Sequence, residues 1–217
     1  MIVLGLTGSI AMGKSTAAAM FRRLGVPVHD ADRVVHRLLG KGGAAVPLVA
    51  AAFPGVVVEG AIDRQLLGAR VFGNAATLRE LERILHPLVA RERRRFLRAA
   101  RLQGRRLVVL DIPLLFETGG ERACDAVAVV SAPAFLQYAR LLRRPGTSPE
   151  RITTVMRRQM PDEEKRRRAD FIIPTGLGKA ATYAAIRNIV STLLGGRRGR
   201  YPRYYTLRSL DAKRCKM

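Results

Sequence analysis

The chain has 217 residues, 48% of them hydrophobic, and its 39 lysines and arginines against 17 acids give a formal net charge of +22. That length suits one α/β domain with insertions, and the apolar fraction supports a buried core, which excludes an intrinsically disordered chain. Two cysteines, Cys124 and Cys215, exclude a disulfide framework, and the lack of a C-x-x-C pair or His/Cys cluster excludes an obvious zinc site, so a reducing cytoplasm is the expected location.

Ile2 to Leu6 reads as a short buried strand. The run has no basic segment before it and passes straight into a glycine loop, so it is not expected to be a signal peptide. The loop, "GSIAMGKST" at 8 to 16, matches G-x-x-x-x-G-K-[ST] at every fixed position through Gly8, Gly13, Lys14 and Ser15. Strand before and helix after are what phosphate binding demands, because a helix N-terminus and successive backbone N–H groups must converge on the anion. The helix is expected from Ser15 to Leu24, rich in alanine and closed by basic residues before Gly25. A nucleoside triphosphate is the expected ligand, with Lys14 on its β- and γ-phosphates and the Ser15 hydroxyl on Mg2+.

A second strand is expected at "VPVHD", 26 to 30, with "HDADRVVH" beginning at its end. Open α/β sheets bind ligands at the carboxyl ends of their strands, so Asp30 and Asp32, two apart at this junction, are candidate proton acceptors or Mg2+ partners. One of the pair is enough to cap the following helix, a task that suits Asp30 and leaves Asp32 for chemistry. From 31 to 105 no good strand is visible. "AAVPLVAAAFPGVVV" at 44 to 58 is too short to span a membrane and is broken by Pro47, Pro54 and Gly55. Leu78, Leu81, Ile84, Leu85, Leu88 and Val89 then recur at helical spacing, with His86-Pro87 expected to interrupt the pattern and start a new helix. The interval reads as an inserted, mostly helical subdomain.

"RLVVLDI" at 106 to 112 is an apolar strand ending in Asp111, where many P-loop enzymes keep a metal-assisting carboxylate. Glu117 lies just beyond, and the choice between the two stays open. Strands follow at 126 to 130 and 170 to 174, and the alternation with helices predicts a parallel sheet covered on both faces. Between them, Pro145-Gly146 makes a turn and Ser148 can cap a helix starting at Pro149, so two arginine-studded helices form a hairpin that reads as a lid. A last helix is expected over about 179 to 194, then a basic tail, 195 to 217, expected to be flexible. The charge could serve nucleic acid, but arginines spread along the whole chain, no tryptophan and few aromatics suit small anionic substrates about as well. A different small-molecule kinase and a nucleic-acid-associated ATPase stand as the other readings.

"LTGSIAMGKST", "DADRVVH", "HPLV", "DIPLLFE" and "RRQMPDEEKRRRADFII" occur in the order found in dephospho-CoA kinases, and the resemblance covers residues 1 to about 194. It implies a three-layer α/β/α fold of the P-loop NTPase type: a nucleotide-binding core (1–30, 106–137 and 170–194), a helical CoA-binding insertion (31–105) and a lid (138–169). It implies ATP and dephospho-CoA as substrates, with Mg2+ beside the ATP; a monomer or weak homo-oligomer is expected, with no membrane partner and with nucleic acid disfavoured. By the same resemblance Gly8 and Ala11, Met12, Gly13, Lys14, Ser15 and Thr16 wrap ATP, with Arg140 and Arg144 reaching its phosphates from the lid. Lys14, Asp32 and Arg140 would be catalytic, Asp32 as the base at the acceptor hydroxyl. His36, His86 and Leu114 would line the acceptor side with Asp32, and Ser15 with Asp111 would face the metal. The sequence departs from the family pattern at Pro145 in "RRPG" and Pro174 in "FIIPTG".

Overall fold

The computed structural model describes residues 1–71, 73–143, 156 and 159–195. The expected turn at Pro145-Gly146, the cap at Ser148, Arg144, Cys215 and the tail beyond Gly195 lie outside the described residues. The chain divides into two compact units, one running from Met1 to His29 and resuming at Gln103, the other from Asp30 to Leu102.

The first unit is built on a five-stranded sheet: β1 (Ile2–Thr7), β2 (Val28–Asp30), β5 (Leu107–Asp111), β6 (Ala126–Ser131) and β7 (Phe171–Pro174), in the order β2-β5-β1-β6-β7. β1 runs parallel to β5, from Ile2 beside Leu107 to Leu6 beside Asp111, and parallel to β6, from Leu4 beside Ala126 to Thr7 beside Val129. β6 in turn runs parallel to β7. Valines, leucines and alanines fill these strands without alternation because both faces of a parallel sheet are buried. Among the described residues its helices include α1 (Lys14–Arg23), α6 (Ala134–Leu142), α7 (Asp162–Arg168) and α8 (Lys179–Leu193), with a short 3-10 turn at Gly120–Ala123. Leu4, Leu6, Val109, Ala128 and Ile173 of the sheet are fully or almost fully buried with Phe21 of α1 and Ile186 and Ile189 of α8.

The second unit holds α2 (Ala31–Leu39), α3 (Val46–Ala52), α4 (Arg64–Val71) and α5 (Ala75–Leu102) around Val34, Leu38, Val49, Phe53, Leu67 and Leu81. Two expectations fail in it. The interval is not free of strands: β3 (Val57–Val58) and β4 (Ala61–Ile62) form an antiparallel hairpin whose turn residues Glu59 and Gly60 have φ of 50° and 80°. Such a turn is ordinarily signalled by Asn-Gly or Asp-Gly, and two-residue strands give almost no period to read. Nor does Pro87 start a new helix, because α5 runs unbroken through it for 28 residues. The stripe of Leu81, Ile84, Leu85, Leu88 and Val89 packs into the unit's core on both sides of the proline. That burial outweighs the roughly 3 kcal/mol an interior proline costs.

Among the described residues no helix is long and apolar enough to cross a membrane.

Candidate active site

Gly8 leaves β1 at a point where no side chain fits: a Cβ there would stand 2.2 Å from Val130 Cγ2 and 2.8 Å from the Val130 carbonyl oxygen. The loop then turns through Ala11, whose φ of 61° is left-handed although it is not glycine, and enters α1 at Gly13 with φ 90° and ψ 19°. Gly13 provides no side-chain cap and the first turn of α1 carries no acid. The leading N–H groups of α1 are therefore set toward an anion, with the positive end of the helix dipole behind them.

Side chains from three segments hold this loop in shape. Gln137 Nε2, on the buried face of α6, donates to the Ile10 carbonyl at 2.9 Å, and the Ile10 amide donates to Gln159 Oε1 at 2.9 Å. Arg140 Nη1 donates to the Ala11 carbonyl at 3.3 Å, while its Nη2 donates to the Thr175 carbonyl at 2.7 Å. Thr175 Oγ1 lies 2.6 Å from the Met12 carbonyl, to which it donates. A left-handed alanine costs about 1–2 kcal/mol, and these bonds, each worth about 1 kcal/mol net, offset it. Met12 itself is buried, its sulfur accepting from the Ala132 amide at 3.2 Å.

Lys14, the first residue of α1, reaches back to the sheet. Its Nζ is 2.6 Å from Oδ1 of Asp111, whose side chain is only 3% exposed. The parallel register sets Asp111 beside Leu6, two residues before Gly8, so strand end and loop meet at one level. Ser15 and Thr16 follow, exposed. Glu117 turns elsewhere: its Oε1 is 2.9 Å from Nζ of Lys165, which is wholly buried, and accepts from the Met160 amide at 2.9 Å. Burial pushes the Glu117 carboxyl upward, but the Lys165 ammonium and the Met160 amide outweigh it and hold the group below the usual carboxylate range.

A cavity of about 670 Å³ shares Met12 with the loop and is lined also by Ala132, Gln137, Asp162, Arg166 and Ile172. In it Asp162 Oδ2 accepts from Ser131 Oγ at 2.7 Å, and burial pushes its carboxyl above the ordinary range.

Of the residues expected from sequence, the structure joins Lys14 to Asp111 and Arg140 to Ala11, and sets Leu114 on the surface just after β5. Asp30 is the cap of α2, its Oδ1 accepting from the Arg33 amide at 3.0 Å. Asp32 and His36 on α2 and His86 on α5 belong to the second unit, and all three are exposed. Reading the sequence missed Gln137, Gln159 and Thr175. Gln137 carried a signal, a polar residue sharing one face of α6 with Leu141 four positions on.

The sequence profile of the dephospho-CoA kinase family matches residues 2–178. Dephospho-CoA kinase of Paramagnetospirillum magneticum is 65% identical over 166 residues, 76% of this chain and 78% of that protein. The enzyme of Mesorhizobium japonicum is 56% identical over 197 residues, 91% of this chain and 99% of that protein. A solved structure of a Thermus thermophilus protein superposes with a TM-score of 0.79 at 36% identity, covering 90% of this chain and 98% of that one.

Proposed function

The chain belongs to the dephospho-CoA kinase family, and from that premise, ATP-dependent phosphorylation of dephospho-CoA as the final step of coenzyme A biosynthesis, we propose how its own residues divide the work. The acceptor is the ribose 3′-hydroxyl, and the products are coenzyme A and ADP. The observation that carries the assignment is the loop from Gly8 to Ser15 held between β1 and α1 with Lys14 at the strand-end carboxylate Asp111.

Phosphoryl transfer passes through a loose transition state with charge spread over peripheral oxygens, so placement and cations supply most of the rate. The Gly8–Thr16 loop binds the triphosphate through its amides. Lys14 leaves its contact with Asp111, or shares it, to reach the β- and γ-phosphates. Asp32, spared the capping task that Asp30 performs, accepts the proton of the attacking hydroxyl. His36, His86 and Leu114 contact the acceptor, residues 31–105 being its binding insertion. Arg140 fixes the loop through Ala11 and, with Arg144 and the rest of a 138–169 lid, meets phosphate oxygens and excludes water.

The Ser15 hydroxyl and the Asp111 carboxylate are hard oxygen donors of the kind Mg2+ takes, and Mg2+ typically keeps few protein ligands beside phosphate and water. Among the described residues no group of three or more His, Cys, Asp or Glu could hold a metal, which fits an ion brought in with the nucleotide. When bound, Mg2+ neutralises the β- and γ-oxygens. Small anionic substrates account for the arginine content without nucleic acid, and a cytoplasmic protein working as a monomer or weak homo-oligomer completes the reading.

An acceptor panel tests it. ADP release with ATP and Mg2+ should rise with dephospho-CoA and stay at background with nucleoside monophosphates or simple sugars; equal release with any of those acceptors would refute the assignment.

A further inference from the structure

The loop's most unusual polar contact is the one on the amide of Ile10, which a carboxamide oxygen from a distant segment occupies at 2.9 Å. Gln137 holds the carbonyl of the same residue. With both of its polar backbone groups engaged, Ile10 cannot swing its flanking peptides, and the left-handed turn at Ala11 follows from a fixed start. Gln159 is itself only half-buried, so its side chain stays on target only if its backbone is held.

The next residue supplies that hold. The Met160 amide donates to Glu117 Oε1, the oxygen that also lies 2.9 Å from the wholly buried Lys165 Nζ. Around this pair α7 is fixed at three more points: Asp162 to Ser131, Arg168 Nη2 to Glu121 Oε1 at 2.6 Å, and the Arg168 guanidinium 4.7 Å from the centre of the Phe116 ring. A buried ion pair contributes little net stability compared with an apolar pair of the same size, and its best-attested use is to specify register. Here the register it specifies is that of Gln159 against the phosphate loop.

We propose that Gln159 is a positioning residue for the phosphate loop, held in place by the Met160–Glu117–Lys165 anchor. The inference rests on the reading that the loop from Gly8 to Thr16 binds the triphosphate of ATP.

Gln159→Leu keeps the bulk and removes the acceptor oxygen. In the full chain the KM for ATP should rise about tenfold, the worth of one good hydrogen bond, while the KM for dephospho-CoA holds steady. Hydrogen exchange at the Ile10 amide should quicken by about tenfold or more in the same variant, a readout that a general loss of packing elsewhere does not produce. Glu117→Leu with Lys165→Met, which replaces the ion pair by apolar groups, should reproduce both changes, and adding Gln159→Leu should then alter the ATP KM less than about twofold. If that double variant fails to fold, Gln159→Leu alone decides. Wild-type KM and Ile10 exchange in Gln159→Leu, beside an inactive Lys14→Ala, overturns the inference; an active Lys14→Ala overturns the reading of the loop instead.

Discussion

Nζ of Lys14 and Oδ1 of Asp111 stand 2.6 Å apart at the carboxyl end of the sheet, so the cation that serves the phosphate also neutralises a buried carboxylate. Removing one partner of such a pair costs about 3–5 kcal/mol because a buried charge loses much of its compensation. Lys14→Ala should therefore lose both turnover, by about 10²-fold or more, and stability. Lys14→Ala combined with Asp111→Asn should recover most of the urea midpoint and none of the ADP release. Recovery of turnover in the double variant would separate Lys14 from catalysis.

Thr175 shapes the loop through its hydroxyl, which donates to the Met12 carbonyl at 2.6 Å and accepts from Arg140. Thr175→Val should lower stability by about 1–2 kcal/mol and weaken ATP binding, whereas Thr175→Ser should keep both near wild type. Thermal melts and nucleotide titration of the two variants make the comparison, and a loss in Thr175→Ser with Thr175→Val near wild type would place the effect in the methyl group.

Asp30 and Asp32 sit two residues apart with different tasks. Asp30→Ala removes the cap of α2 and should cost about 1 kcal/mol of stability. Asp32→Asn should leave stability and ATP binding unchanged and slow phosphoryl transfer by about 10²-fold or more. Full turnover in Asp32→Asn, measured with saturating ATP and dephospho-CoA, would remove it as the base.

Pro87 lies inside α5 on its exposed side, where it takes away one backbone donor. Pro87→Ala should raise the unfolding free energy by about 1–3 kcal/mol. A lower Tm in the variant would mean that the proline fits a bend on which the packing of Ile84 and Leu88 depends.

The Glu117 carboxyl is held below its ordinary value near 4.5, so the folded state binds its proton less readily than the unfolded state. Its contribution is fully present above the unfolded value and fades as pH falls through the lower folded one. Asp162 runs the other way: with its value raised above 3.8, its contribution is greatest in acid and is lost as pH climbs through the folded value. Glu117→Gln should thus be less stable than wild type at pH 7, with the gap narrowing below about pH 4. Urea midpoints across pH 3 to 7 for the two proteins check the sign.

Gly8, Gly13, Lys14 and Ser15 announced the phosphate loop because backbone conformation, anion contact and helix start all fall within eight residues of chain. The parallel strands were legible for a related reason, since burial on both faces leaves continuous apolar runs. Gln159 and Thr175 were not, because what they touch, Ile10 and Met12, lies about 150 residues earlier and no local period encodes the pairing. Lys165 was hidden among arginines in "EEKRRR", where only the fold shows that one of four cations is buried. Pro87 misled because local preference was weighed without the core that its helix covers.

The strand order has a consequence for synthesis on the ribosome. β1 lies between β5 and β6, and β2 borders β5, so neither of the first two strands has a sheet neighbour until Leu107–Asp111 has been made. At about 5–20 residues per second the nascent Ile2–Thr7 segment waits several seconds, an apolar strand with both edges bare. Those first residues are an apolar segment a holdase could cover during translation, and codons that slow elongation across the Asp30–Leu102 unit would lengthen the exposure.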